Sequence, residues 1–210
     1  AFYNTSIGEA DLSGTRLKLI GLGAFSYCFY LENVTFPTTL EIIGNGAVLG
    51  TGIREADLSG TNVTEIRDFA FIRCANLENV TFPTTLETIG IHAFDGTAIK
   101  EADLSKTSVK QIGYQAFSRC ANLSTVTFPT TLETIGYGAF QYSGIREADL
   151  SRTNVKEIGF RFFSQCANLS TVTFPASLKT IGQGAFENSA IKEANLSGTS
   201  VKNILLYAFF

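Results

Sequence analysis

The sequence predicts a repeat solenoid, with one short parallel strand per 23-residue coil and little regular helix. Three observations carry this. Cys28, Cys74, Cys120 and Cys166 recur every 46 residues, and Pro37, Pro83, Pro129 and Pro175 keep the same interval without an insertion or deletion. Inside that block lies a step of 23: Ala24-Phe25, Ala47-Val48, Ala70-Phe71, Ala93-Phe94, Ala116-Phe117, Ala139-Phe140, Phe162-Phe163, Ala185-Phe186 and Ala208-Phe209, with Ala1-Phe2 opening the series. Each unit also holds an apolar stretch in which alternate side chains point inward, as in a strand.

The units alternate between two types. One reads AFIRCANLENVTFPTTLETIGIH from Ala70 to His92, and the other reads AFDGTAIKEADLSKTSVKQIGYQ from Ala93 to Gln115. Nine complete units fill residues 1–207 and Ala208 to Phe210 open a tenth, so residues 1–210 are expected to form one solenoid without a linker or second domain. The strands fall at Leu77-x-x-Val80-x-Phe82 and Ile99-x-x-Ala102-x-Leu104, the second type one residue earlier in its unit. Leu86 and Ile89, or Val109 and Ile112, then precede a Gly and the Ala-Phe pair, which suits a return segment packing one Phe per coil.

Composition narrows the function. With 45% hydrophobic and 17% charged residues the chain can bury a large core. A net charge of −3 gives no basic footprint, so neither nucleic acid nor an anionic membrane surface is expected as a partner. Apolar runs such as Ile204 to Phe210 fall far short of the roughly 20 residues that span a bilayer. The sequence opens AFYNTS with no basic segment before an apolar one, so any targeting signal is expected to have been removed or to lie outside it.

Equivalent positions in a solenoid stack about 4.8 Å apart, so sequence columns become ladders. The cysteines occur on every second coil, hence about 9 to 10 Å apart, beyond the roughly 7 Å reach of a disulfide; buried free thiols are expected. One His and no C-x-x-C cluster argue against a metal site, and no cofactor is implied. Residues between the inward strand positions face outward. These are Glu9 and Asp11, Glu55 and Asp57, Glu101 and Asp103, Glu147 and Asp149, then Glu193 and Asn195. The other unit type interposes Asn33 and Thr35, Asn79 and Thr81, Thr125 and Thr127, and Thr171 and Thr173. This face is the candidate recognition surface, for a basic protein segment or weakly for Ca²⁺, with Glu55, Asp57, Thr81, Glu101, Asp103, Thr127, Glu147 and Asp149 at its centre. Arg54, Lys100, Arg146 and Lys192 precede the acidic pairs and are expected to neutralise them.

A threonine column runs through Thr15, Thr38, Thr61, Thr84, Thr107, Thr130, Thr153 and Thr199, broken by Ala176. It follows the strand, where hydroxyls satisfy turn backbone groups, and that role is preferred to an ice-binding array. Seven N-x-S/T sequons begin at Asn4, Asn33, Asn62, Asn79, Asn122, Asn168 and Asn195, the pattern of an extracytoplasmic glycoprotein. Catalysis is not expected. His92 has no repeating partner, no Ser or Cys has a predictable base, and a ladder offers many equivalent carboxylate pairs instead of one differentiated pocket.

The pattern LxxVxFPxxLxxIGxxAFxxC, read across both unit types from Leu77 through Cys120, resembles the BspA-like, treponemal-type leucine-rich repeats over the whole chain. The second unit type departs from it, with Ser105 near the usual Pro and Thr97 in place of Cys. The resemblance implies a right-handed coil with its parallel sheet on the concave face. It also implies a non-enzymatic, extracellular or cell-surface adhesion module that binds host matrix or cell-surface proteins. The alternative is a structural solenoid that self-associates through its ends into a filament or sheath, since Leu205, Leu206, Tyr207, Phe209 and Phe210 give the last coil no polar cap.

Overall fold

A computed structural model describes residues 1–210 as a helix-free coil of parallel strands. Three-residue strands lie at Glu9–Asp11, Asn33–Thr35, Glu55–Asp57, Asn79–Thr81, Glu101–Asp103, Thr125–Thr127, Glu147–Asp149 and Thr171–Thr173. They pair in parallel, as in Glu101 with Thr125, Ala102 with Val126 and Asp103 with Thr127. Their starts advance alternately by 24 and 22 residues, which is the one-residue offset between the two unit types. The middle residue faces inward and its neighbours face solvent, because the side-chain period of a strand is two.

A second ladder lies where the sequence suggested only a return segment. Two-residue strands recur every 23 residues from Leu19–Ile20 to Asn203–Ile204, and Gln111–Ile112 pairs with Thr88–Ile89 on one side and Thr134–Ile135 on the other. The isoleucine of each pair points to the core, from Ile20 to Ile181. Two residues are too few for an alternating pattern to be read in sequence.

After the Ile-Gly step the chain makes a tight turn around the Ala-Phe pair. Two positions in every coil, four residues apart, have left-handed backbone: His92 (φ 50°) and Gly96 (φ 69°) in one coil, Gln115 (φ 50°) and Arg119 (φ 57°) in the next. For a residue with a Cβ this costs of order 1–2 kcal/mol. The consequence is that alternate N–H groups all point to the following coil. His92, Phe94 and Gly96 donate to the carbonyls of Tyr114, Ala116 and Ser118 at 2.8–2.9 Å. Only 15 of the 112 backbone hydrogen bonds lie within strands, so these turns stack the coils as much as the sheets do.

Inside, 55 buried residues form one contiguous cluster from Ala10 to Ala208. Its axis is a file of phenylalanines. Phe71, Phe94 and Phe117 stack with centroids 5.2 Å apart and planes within 9° of parallel, and Phe140 continues at 5.5 Å. Phe82, Phe128 and Phe174, contributed by the Pro-containing units, pack edge-on against the file at 86°. Stacked and edge-on rings are both favourable arrangements. Val48 replaces one ring in the series, and Phe162 occupies a position held elsewhere by alanine, tilting Phe163 to 23° from Phe140. Phe117→Ala opens a ring-sized void between two stacked neighbours and is expected to cost about 3–5 kcal/mol in urea denaturation, with an unchanged far-UV spectrum.

Candidate interaction surface

All the outward strand residues singled out in the sequence are exposed: Glu55, Asp57, Thr81, Glu101, Asp103, Thr127, Glu147 and Asp149. Register sets them side by side. Glu55 lies opposite Asn79 and Asp57 opposite Thr81, while Glu101 and Asp103 face Thr125 and Thr127. The surface thus alternates acidic and neutral coils.

The expected neutralisation does not occur. Arg54 reaches Glu32 at 3.7 Å and Lys100 reaches Glu78, both carboxylates of the preceding coil outside the strand, and no carboxylate of the three-residue strands joins an ion pair. In the coils preceding Arg146 and Lys192 the position of Glu32 and Glu78 is taken by Ser124 and Ser170, and those cations pair with no carboxylate. The lateral neighbour across the ladder, not the adjacent residue in sequence, is within reach.

The two acids of each pair differ in role. Asp11, Asp57, Asp103 and Asp149 each accept the N–H of the serine two residues on, at 2.9–3.0 Å, closing the turn that leaves the strand. Hydrogen bonding from the Ser13 and Ser105 side chains, and secondarily from their backbone N–H groups, holds the Asp11 and Asp103 carboxyls below the usual range. Asn195 makes the same bond to Ser197, so the uncharged amide serves the turn equally well. Glu9, Glu55, Glu101 and Glu147 form no side-chain bond and are the freer groups. Open grooves of about 450 and 560 Å³ run along this face, the first between Asn33, Thr35, Glu55 and Asp57, the second between Thr171, Thr173, Lys192 and Glu193. No group of three His, Cys, Asp or Glu side chains is placed to hold a metal ion, so the acidic pairs do not amount to a Ca²⁺ cage.

The threonine column divides into two roles. Thr15, Thr61, Thr107, Thr153 and Thr199 donate to the carbonyl three residues earlier at 2.7–2.8 Å, a turn-closing bond, whereas Thr38, Thr84 and Thr130 stay exposed. All four cysteines are buried and unpaired. In the coil before each stands Thr5, Thr51, Thr97 or Ser143, with hydroxyl and thiol 3.3–3.5 Å apart, and Cys74, Cys120 and Cys166 each donate to a carbonyl in the turn of the preceding coil at 3.0–3.1 Å. Thr97 is therefore the hydroxyl counterpart of Cys in one continuous polar file.

His92 is flanked by Phe69, stacked at 5.4 Å, and by the edge of Tyr114 at 5.3 Å. Its Nδ1 lies 2.9 Å from a carboxyl oxygen of Asp95, which is itself buried and gripped by the Arg119 guanidinium of the next coil. The sequence did not single out Asp95, because other coils place Ser118 or Ser164 there and its partner is 24 residues distant. The nearby Cys120 thiol donates to the Phe94 and Ser118 carbonyls. The seven sequon asparagines are all exposed; Asn33 and Asn79 lie on the three-residue strands themselves.

This architecture defines a parallel β-solenoid with a repetitive, shallowly grooved face. The chain belongs to the BspA-type leucine-rich repeat family, whose model matches residues 1–108 and 103–210 with six copies. Among solved structures it is similar to the leucine-rich repeat protein TpLRR of T. pallidum, with a TM-score of 0.60 and 23% identity, covering 86% of this chain and 76% of that one. It is also similar to the pneumococcal vaccine antigen PcpA, with a TM-score of 0.50 and 17% identity, covering 97% of this chain and 57% of that one. A leucine-rich cell surface protein from Faecalibacterium prausnitzii aligns at 21% identity and a TM-score of 0.38, covering 93% and 77%. No curated protein matches the sequence significantly.

Burial raises the thiols of Cys74, Cys120 and Cys166 to about 11. The unfolded chain therefore releases these protons at lower pH than the folded one. Their contribution is complete below about pH 9 and is lost as pH rises toward 11, so stability should fall across that interval and fall less in a Cys74→Ser, Cys120→Ser, Cys166→Ser variant. Urea midpoints at pH 8, 9.5 and 10.5 test this; equal slopes for both proteins would refute it.

Proposed function

We propose that the chain is a non-enzymatic interaction module of the cell surface or extracellular space, which holds an extended basic segment of a protein partner along its three-residue strand face. Family membership supports a repeat-protein interaction role, and the antigen description of PcpA accords with the location. The observation that carries the ligand chemistry is the row of Glu55, Glu101 and Glu147: exposed, two coils apart and without a cation. A lysine or arginine on every third or so residue of an extended peptide meets that spacing.

Exposed charge pairs contribute at most about 1 kcal/mol each. Reversal of all three, as Glu55→Lys, Glu101→Lys and Glu147→Lys, should weaken binding of a Lys/Arg-rich host-matrix peptide by tenfold or more and remove its salt dependence, as read by calorimetry at two ionic strengths. Unchanged affinity would sink the proposal. The aspartates are unsuitable for this test because their loss opens the turns.

The same surface position favours N-glycosylation at some of the seven sequons, each exposed. A glycan on Asn79 would stand beside Glu55, its partner in register, so sugars on the strands should compete with binding. Glycosidase treatment of the native protein is expected to lower its intact mass; no change means that the sequons are silent.

A further inference from the structure

The first left-handed position of the turn forms its own column, outside the backbone, with one residue per coil: Gly23, Gly46, Phe69, His92, Gln115, Gly138, Arg161, Gly184 and Tyr207. Where two consecutive places carry rings they stack, Phe69 lying on His92 with centroids 5.4 Å apart and planes 13° from parallel. Gly23 and Gly46 vacate two consecutive places. The result is an open cavity of about 530 Å³, within the range of small-ligand sites. Phe69 closes one end, Leu49 and Ser26 form the floor, and Leu22 and Tyr3 the other side.

Packing does not demand glycine there. At Gly113 an added Cβ would come within 2.5 Å of the Gly90 carbonyl carbon, whereas at Gly46 it would meet only the Leu49 and Ser26 side chains, at 3.6–3.8 Å, and at Gly23 only Ser26, at 3.4 Å and beyond. Nor does the backbone demand it, since Phe69, His92 and Gln115 adopt the same φ with full side chains. The floor asks for no polar partner, because the Ser26 hydroxyl already donates to the Gly46 carbonyl at 2.6 Å.

We infer that this cavity binds an aromatic side chain presented by a partner protein. The occupant's chemistry follows from the column. The covered face of Phe69 carries a flat ring one coil away, and its other face looks onto a place of the same width, about one strand spacing per coil, where a ring would sit at stacking distance. The cavity holds an indole or a phenol together with its Cβ. It lies on the turn side of the coil, so it acts independently of the acidic strand face.

The test uses the full ¹⁵N-labelled chain and N-acetyl-tryptophanamide as probe. Shifts are expected at the amides of Gly23, Gly46, Leu49 and Phe69. Gly46→Phe, which copies the Phe69 conformation one coil earlier, should abolish them while leaving the far-UV spectrum and the amide shifts of distant coils intact. Phe69→Leu keeps bulk but removes the ring face, and should weaken the probe by about threefold to tenfold and erase its advantage over N-acetyl-leucinamide. Shifts confined to other exposed rings such as Tyr137 and Phe160, equal binding of the leucine probe or of methyl glucoside by the native chain, or binding undiminished by Phe69→Leu would each overturn the inference.

Discussion

Everything in this molecule depends on successive coils keeping register, because a single coil buries almost nothing by itself. The interior ring of Phe94 is covered by Phe71 and the edge of Phe82 before it and by Phe117 after it, and the buried strand residues are likewise covered by neighbouring coils. A slip of one residue between coils would carry a strand's buried alanine to the surface and a glutamate to the core. Two ladders alone, of three and two residues per coil, are short restraints against such a slip. The turn column adds the third, and its left-handed residues have an energetic rationale: their conformational cost is offset by three inter-coil hydrogen bonds per turn, donated from residues such as His92, Phe94 and Gly96.

Register explains which parts were legible in the sequence. The strand centres and the phenylalanine file were, since both arise from identity at a fixed period, and so was the one-residue offset that makes the strands advance by 24 and 22. The second ladder was not. Its single inward isoleucine carries no alternation, and its outward residue ranges over Leu19, Glu65, Thr88 and Gln111. The left-handed column was equally opaque, because Phe69, His92 and Arg161 are not residues whose type announces that conformation. Contacts between coils, such as Arg54 with Glu32 or Arg119 with Asp95, join residues 22 to 24 apart and are invisible to adjacency along the chain.

The candidate site was legible as a set of exposed positions but not as a set of roles. Sequence presented Glu-x-Asp as one acidic motif. The structure divides it: the aspartate closes a turn by accepting the backbone N–H of the serine two residues beyond it, and the glutamate does nothing for the backbone. A repeated residue in a solenoid therefore needs a test for local duty before it is counted toward a surface.

That test also tells scaffold from specificity more generally. The cysteine file accepts threonine or serine at alternate coils because either hydroxyl or thiol fills the same polar place, and the Asp-to-Ser bond accepts Asn195, so these columns are constrained by the coil and say little about ligands. The strand glutamates alternate with Asn33, Asn79 and Thr125, which the backbone holds equally well, so their charge is not a requirement of folding. The outer turn column varies most, from glycine through histidine and arginine to phenylalanine at one backbone conformation. Where the backbone imposes the same geometry on every coil and the side chain still changes, folding has left the choice free. Recognition, if it is to differ along an otherwise uniform rod, has to be written at those positions.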